Sequence, residues 1–220
     1  MFFLPIAGSV IAGWLVNQAA DRLPVRRPDC LLDGGLAGGQ HRIRLWLVWL
    51  LAWLLGWLAY LGTERWAEGL LLAGLSWFFL AVAVIDCEQR LVLNCMLLPA
   101  APLILLGQWL AGGPQLASAL LGGVAGFGCF LVLALLQPGS LGMGDVKLAG
   151  VVGLAVGSAD LGLALVVAVC AGGLASLLVL IRSGFRRGQT IAYAPYLVIG
   201  AWTALYVHSD LLHLFGRVGR

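Results

Sequence analysis

Long apolar runs alternate with short polar breaks along this chain. The runs fall near residues 2–20, 45–62, 69–85, 95–111, 116–137, 147–159, 161–181 and 191–214. Most approach the roughly 20 residues that a helix needs to cross the hydrocarbon core of a bilayer. Apolar and polar positions do not alternate within them, as the strands of a membrane barrel would require, so helices are the expected elements. The expected fold is all-α: a single polytopic membrane domain over residues 1–220, with about eight transmembrane helices and no sizeable soluble domain. The run at 147–159 is short, and Asp160 is the expected division between it and the next.

The polar breaks set an expected orientation. The break at 21–44 holds Arg22, Arg26, Arg27, Arg42 and Arg44, and that at 182–190 holds Arg182, Arg186 and Arg187. Arg90 and Lys147 lie at the two breaks between. If these four connections share one side, ten basic residues stand there against Arg65, Arg217 and Arg220 on the other. The positive-inside rule makes the richer side cytoplasmic. Both chain ends then come out external, which requires an even number of helices. No Lys or Arg precedes the first run, while Asp21 and Arg22 follow it. A cleaved secretory signal is therefore not expected, and the first helix should stay. The break at 21–44 is rich in Gly, Arg and Pro and reads as a short basic cytoplasmic loop.

Composition sharpens this picture. Apolar residues make up 61% of the 220 and charged residues 10%, against under about 50% and about 25% in soluble domains. So much apolar surface must face lipid. A net charge of +3 without a Lys/Arg stripe excludes nucleic acid as a partner. The five cysteines, Cys30, Cys87, Cys95, Cys129 and Cys170, form no C-x-x-C pair, which excludes a four-cysteine zinc site. Gly122 with Gly126, and Gly153 with Gly157, carry the four-residue spacing that lets membrane helices pack closely. Trp46, Trp49, Trp53 and Trp57 form a stripe on one face of the second run. It reads as lipid-facing or packing surface.

Acids at membrane depth are costly and need a reason. Asp86 ends the apolar stretch Leu80-Ala81-Val82-Ala83-Val84-Ile85, and Asp145 sits in Leu141-Gly142-Met143-Gly144-Asp145-Val146-Lys147-Leu148. The orientation above puts both at cytoplasmic helix ends. Two carboxylates brought close do not both ionise cheaply, so one keeps its proton and the pair offers a base and an acid together. The base activates water and the acid protonates the carbonyl oxygen or the leaving amine. Peptide hydrolysis at a membrane surface suits such a pair and needs no metal. Gly142 and Gly144 remove side chains beside the acid, permitting close backbone approach or positive φ. Lys147 would favour the ionised form of a nearby acid. Read alone, each acid is equally well a helix-end charge at the interface.

These residues resemble those of the type IV prepilin leader peptidases, the G-x-G-D membrane aspartic proteases. Gly13, Asn17 and Arg22-Leu23-Pro24 match the first-helix pattern. Ile85-Asp86, with Glu88, Leu91, Asn94 and Pro99, resembles the first catalytic segment, and Gly142-Met143-Gly144-Asp145-Val146-Lys147-Leu148 the second. Ala194-Pro195-Tyr196-Leu197 with Gly200 is similar to the motif that opens the last helix. Leu93 stands where the family usually has proline. The resemblance implies that Asp86 and Asp145 are the catalytic pair, cutting leaders from prepilins or from type II secretion pseudopilins at the cytoplasmic face of a bacterial inner membrane. Many members also methylate the new N-terminal amine with S-adenosylmethionine. Members often carry two C-x-x-C zinc-binding pairs after the first helix, where this loop has only Cys30. Zinc is therefore not expected, and S-adenosylmethionine would be needed only if N-methylation is retained.

Around the pair, Glu88 and Arg90 are candidates for substrate contact or loop capping, and Asn17 for the site or for interhelical packing. His41, His208 and His213 read as interfacial, and Asp160 and Asp210 as external. The competing function is an ion- or proton-coupled transporter component with the two acids as a relay. Such folds show repeated halves and broken helices near the midplane, and neither is evident in the sequence.

Overall fold

The computed structural model describes residues 3–22, 38–63, 65–89, 92, 94–111, 116–136, 141–183 and 192–218. Among the described residues the helices are α1 (Phe3–Arg22), α2 (Gly38–Leu61), α3 (Trp66–Gln89), α4 (Asn94–Ala111), α5 (Leu116–Leu136), α6 (Met143–Ser183) and α7 (Ala194–Val218). No strand occurs among the described residues. The fold is all-helical, and Trp66–Glu88, Leu116–Leu136 and Met143–Arg182 are each long and apolar enough to cross a membrane. Shorter apolar helices run over Trp46–Leu61, Asn94–Leu110 and Ala194–Val207. Most of the loop at 21–44, including Cys30, lies outside the described residues.

Helices α1, α2 and α3 pack through glycine and tryptophan. A Cβ at Gly8 would lie 2.9 Å from the Trp77 ring, and one at Gly13 would lie 3.1 Å from the Trp49 ring. The Trp77 indole donates to the Ala52 carbonyl at 3.0 Å. Moving along α1 from Gly8 to Gly13 thus moves backward along α2, so the two are antiparallel. The stripe of α2 divides its labour: Trp49 packs against α1, while Trp46 and Trp53 are exposed. Ser76 and the Tyr206 hydroxyl lie 3.0 Å apart, and Tyr206 also donates to the Leu55 carbonyl at 3.0 Å. These bonds fasten α2, α3 and α7 together. Closed within the protein, they spare polar groups an apolar exposure that lipid would not relieve.

Helix α6 holds a reversal. Gly157 has φ 78° and ψ 174°, a region that only glycine adopts readily. A Cβ at Gly126 of α5 would meet both Ala149 and Leu161. In a straight helix those residues would stand about 18 Å apart, at 1.5 Å per residue. The chain therefore doubles back at Gly157, and both arms lie along α5. The division expected at Asp160 falls three residues earlier, because backbone geometry and not the polar side chain sets it. The paired spacing of Gly122–Gly126 and Gly153–Gly157 serves this contact: Cβ atoms at Gly122 or Gly153 would collide with the opposing backbone.

A break inside an apolar bundle orphans backbone groups, and two side chains satisfy three of them. In an unbroken helix the Ser158 amide would bond the Leu154 carbonyl; here it donates to Ser118 Oγ at 3.1 Å. Leu154 and Ala155 present their carbonyls instead to Gln108 Nε2, at 2.9 and 2.6 Å. Gln108 comes from α4 and Ser118 from α5, so two neighbours staple the reversal.

The main core gathers α3 to α7 around Phe79, Phe130, Leu148, Val152 and Leu197. Contacts of Gly172 with Tyr193 and of Gly200 with Ala164 make the second arm of α6 antiparallel to α7. One end of the bundle thus collects the end of α3, the starts of α4, α6 and α7, and the second arm of α6 near Gly172.

Candidate active site

Asp86 occupies the last turn of α3 and is 4% exposed. Its Oδ2 accepts the Ala194 backbone amide at 3.1 Å. Ala194 is the first residue of α7, where amides have no partner within the helix. Pro195 follows, and its lack of an N–H costs nothing in a first turn. A carboxylate on a helix N-terminus is an anion where the peptide dipoles favour one. Sequence distant by 108 residues is thus bound together by one bond.

Asp145 lies in the first turn of α6. The Gly142 carbonyl accepts the amides of Asp145 and Val146 at 3.0 and 3.3 Å, folding the G-x-G-D segment into the helix start. A Cβ at Gly142 would come 3.3 Å from Asp145 Oδ2, and a Cβ at Gly144 would come 2.8 Å from Val92 Cβ. Gly142 therefore keeps space open beside the carboxyl, and Gly144 lets α6 approach the segment between α3 and α4. Gly157 is the positive-φ glycine among the described residues, so close approach, and not left-handed backbone, is what the G-x-G pair provides. Asp145 lies within electrostatic reach of Asp86. Its Oδ1 is buried and accepts no hydrogen bond from the described residues.

The other candidates separate. Lys147 is exposed and donates to Asn94 Oδ1 at 3.0 Å. It ties the start of α6 to the start of α4, and its described partner is this amide, where a carboxylate was expected. Glu88 is exposed at the end of α3, and Arg90 lies outside the described residues. Asn17 is 5% exposed, and its Nδ2 donates to the Gly13 carbonyl at 2.9 Å within its own helix. Its Oδ1 has no partner among the described residues. Ala59 of α2 clusters with Leu72 and Ala73 of α3, and Val48 and Ala52 with Leu80 and Ala81, so α3 is antiparallel to α2 and parallel to α1, whose Gly8 meets Trp77. Asn17 and Asp86 stand equally far beyond that contact, which sets them at one level of the bundle.

Reasoning from sequence overlooked Tyr193. It precedes Ala194, and its ring lies 5.8 Å from that of Phe130 and 6.1 Å from that of Tyr196. A Cβ at Gly172 would come 2.8 Å from its Cε2. The motif matched there begins one residue later, so the signal was adjacency alone.

Residues 72–177, which hold both aspartates, match the type IV leader peptidase family. A prepilin leader peptidase/N-methyltransferase of Pseudomonas putida is 29% identical over 158 residues, covering 68% of this chain and 55% of that protein. One from Bacillus subtilis (strain 168) is 28% identical over 134 residues, covering 61% and 54%. One from Pseudomonas aeruginosa is 29% identical over 145 residues, covering 64% and 50%. The chain thus spans about half the length of the curated relatives it matches. No solved structure matches it.

Proposed function

We propose, from its likeness to the type IV leader peptidases, that this chain is a membrane-embedded aspartic endopeptidase that removes the leader of prepilins or type II secretion pseudopilins. What carries the reading is that Asp86, bonded to the first turn of α7, and Asp145, in the first turn of α6, lie within electrostatic reach of each other. Asp86, holding a backbone amide at a helix N-terminus, suits the charged member and base. Asp145, with an oxygen that has no partner among the described residues, suits the proton donor. Water attacks the scissile carbonyl carbon, Asp86 takes a water proton, and Asp145 gives its proton to the carbonyl oxygen. As the diol collapses, the C–N bond breaks. The nitrogen takes the proton from Asp86, and a diol hydroxyl returns its proton to Asp145. The pair ends as it began, so no metal or cofactor enters the hydrolysis.

About eight membrane crossings fit this reading, counting the two arms of α6 separately, within one domain over 1–220. The loops at 21–44, 86–94, 138–146 and 182–190 then face the cytoplasm of a bacterial inner membrane, and both termini lie outside. Glu88, Arg90 and Asn17 are the residues we assign to substrate contact, with Gly142, Gly144 and Lys147 supporting the pair. The loop carries one cysteine, Cys30, and so does not fit a zinc site. S-adenosylmethionine would serve only N-methylation. Cleavage should survive strong chelators, and metal analysis should find no stoichiometric zinc. The test is leader cleavage of a matched prepilin by protein in membranes, read by the mass of the new N-terminus. Loss of cutting in Asp86→Asn and in Asp145→Asn, at equal expression, supports the assignment. Near-normal cutting by either variant, or proton flux in its place, sinks it.

A further inference from the structure

Two polar groups at the site have no hydrogen-bond partner among the described residues: Asp145 Oδ1 and the Tyr193 hydroxyl. The first is buried. The second belongs to a half-buried phenol whose ring is gripped on three sides, by Phe130 of α5, Gly172 of α6 and Tyr196 of α7. These contacts hold the ring while its O–H finds no acceptor among the described residues. Its backbone is equally fixed. The Tyr193 carbonyl accepts the Tyr196 and Leu197 amides at 3.1 and 3.3 Å, and the next amide along, that of Ala194, is bonded to Asp86. Asp145 lies within electrostatic reach of the phenol. A donor held beside Asp145, with no acceptor among the described residues, is arranged for an acceptor that arrives with the substrate.

We infer that Tyr193 is a third catalytic group, whose hydroxyl donates a hydrogen bond to the carbonyl oxygen of the scissile peptide bond as that oxygen gains charge. The inference rests on the protease reading above. It adds no covalent step: the phenol keeps its proton throughout, and the acid pair does all the proton transfer. The phenol serves instead as a prepositioned donor for the developing oxyanion, and removing one such donor lowers kcat by about a hundredfold or more.

Tyr193→Phe tests this with one atom, since the ring and its contacts remain. In membranes, with the matched prepilin as substrate, the variant should lose kcat by about a hundredfold while KM changes less than about threefold. A second measurement keeps the test independent of folding. Incorporating 3,5-difluorotyrosine at position 193 makes the phenol more acidic at nearly constant shape. Measured on the acidic limb, where this phenol stays protonated, its stronger hydrogen bond should hold kcat at or above the wild-type value, whereas added bulk at a packing site would lower it. Wild-type kcat in Tyr193→Phe, or a kcat that difluorotyrosine lowers as far as phenylalanine does, overturns the inference. If Asp86→Asn or Asp145→Asn also cleaves normally, the protease reading itself fails. If both are dead while the Tyr193 variants are normal, only the role of Tyr193 fails.

Discussion

At the residue scale, the proposed mechanism has the two aspartates share one proton, which would make their substitutions interdependent. Asp86→Asn or Asp145→Asn should each nearly abolish cleavage, and the double variant should be hardly worse. The comparison needs only initial rates at matched expression. Cleavage should also follow a bell-shaped pH profile whose two limbs belong to the pair, since activity needs one proton between them. Both acids were legible in the sequence because charge at the end of an apolar run is conspicuous. The surroundings that matter were less so. The Ala194–Asp86 bond joins a backbone amide, which has no signature in any side-chain pattern. Tyr193 hid for a related reason, since an aromatic residue opening an apolar helix looks like any other. Lys147 was conspicuous as a charge, yet its reach to Asn94 depends on the relative placement of two helices.

At the scale of the element, α6 is where conformation exceeds what composition conveys. Thirty-one glycines are spread along the chain. Nothing in the letters separates Gly157, which turns the chain back, from Gly162, where an added Cβ would meet nothing within 4 Å. That contrast predicts opposite signs for one substitution. Gly157→Ala forces a side chain into a region reserved for glycine and should cost about 1–3 kcal/mol. Gly162→Ala fills no occupied space inside a helix and should stabilise by about 0.4–1 kcal/mol. Thermal midpoints of the two variants in detergent, measured side by side, decide it; a stable Gly157→Ala would mean the reversal is not needed. The small-residue spacings were readable and the contact they make was not. The same four-residue pattern supports a crossing, a dimer or, as here, a doubled-back arm against α5.

At the scale of the whole molecule, the apolar runs located most helices to within a few residues, but α2 begins at Gly38, seven residues before its run and inside the expected loop at 21–44, because a helix can extend through polar residues that hydropathy leaves out. Orientation rests on charge alone, and that is a separate physical effect. If ten basic residues hold the loops at 21–44 and 182–190 inside, cysteines introduced at Gly35 and Gln189 in a cysteine-free background should resist a membrane-impermeant maleimide in intact cells and react after lysis. Labelling of either from outside would invert the orientation and put the acids on the far side. The common end shared by α3, α4, α6 and α7 is independent of that outcome, since packing and not charge creates it. The expected orientation already set Asn94, Asp145 and Ala194 on one side; each helix contributes one terminus, and the bundle supplies their proximity.

The bond from the Ala194 amide to Asp86 has a use beyond holding two helices together. A backbone N–H pointed at a carboxyl oxygen changes its magnetic environment when that carboxyl takes up a proton. Nitrogen-15 labelled alanine would therefore turn Ala194 into an optical dial of another kind, a nucleus whose chemical shift reads the charge on Asp86 directly. Its shift should follow pH in the wild type and stay flat in Asp86→Asn, where the amide side chain cannot titrate. In Asp145→Asn the step should move, because the neighbouring charge that shapes the Asp86 equilibrium is gone. The two proton equilibria, which rate measurements report only as a joint profile, would then be heard from one atom at a time.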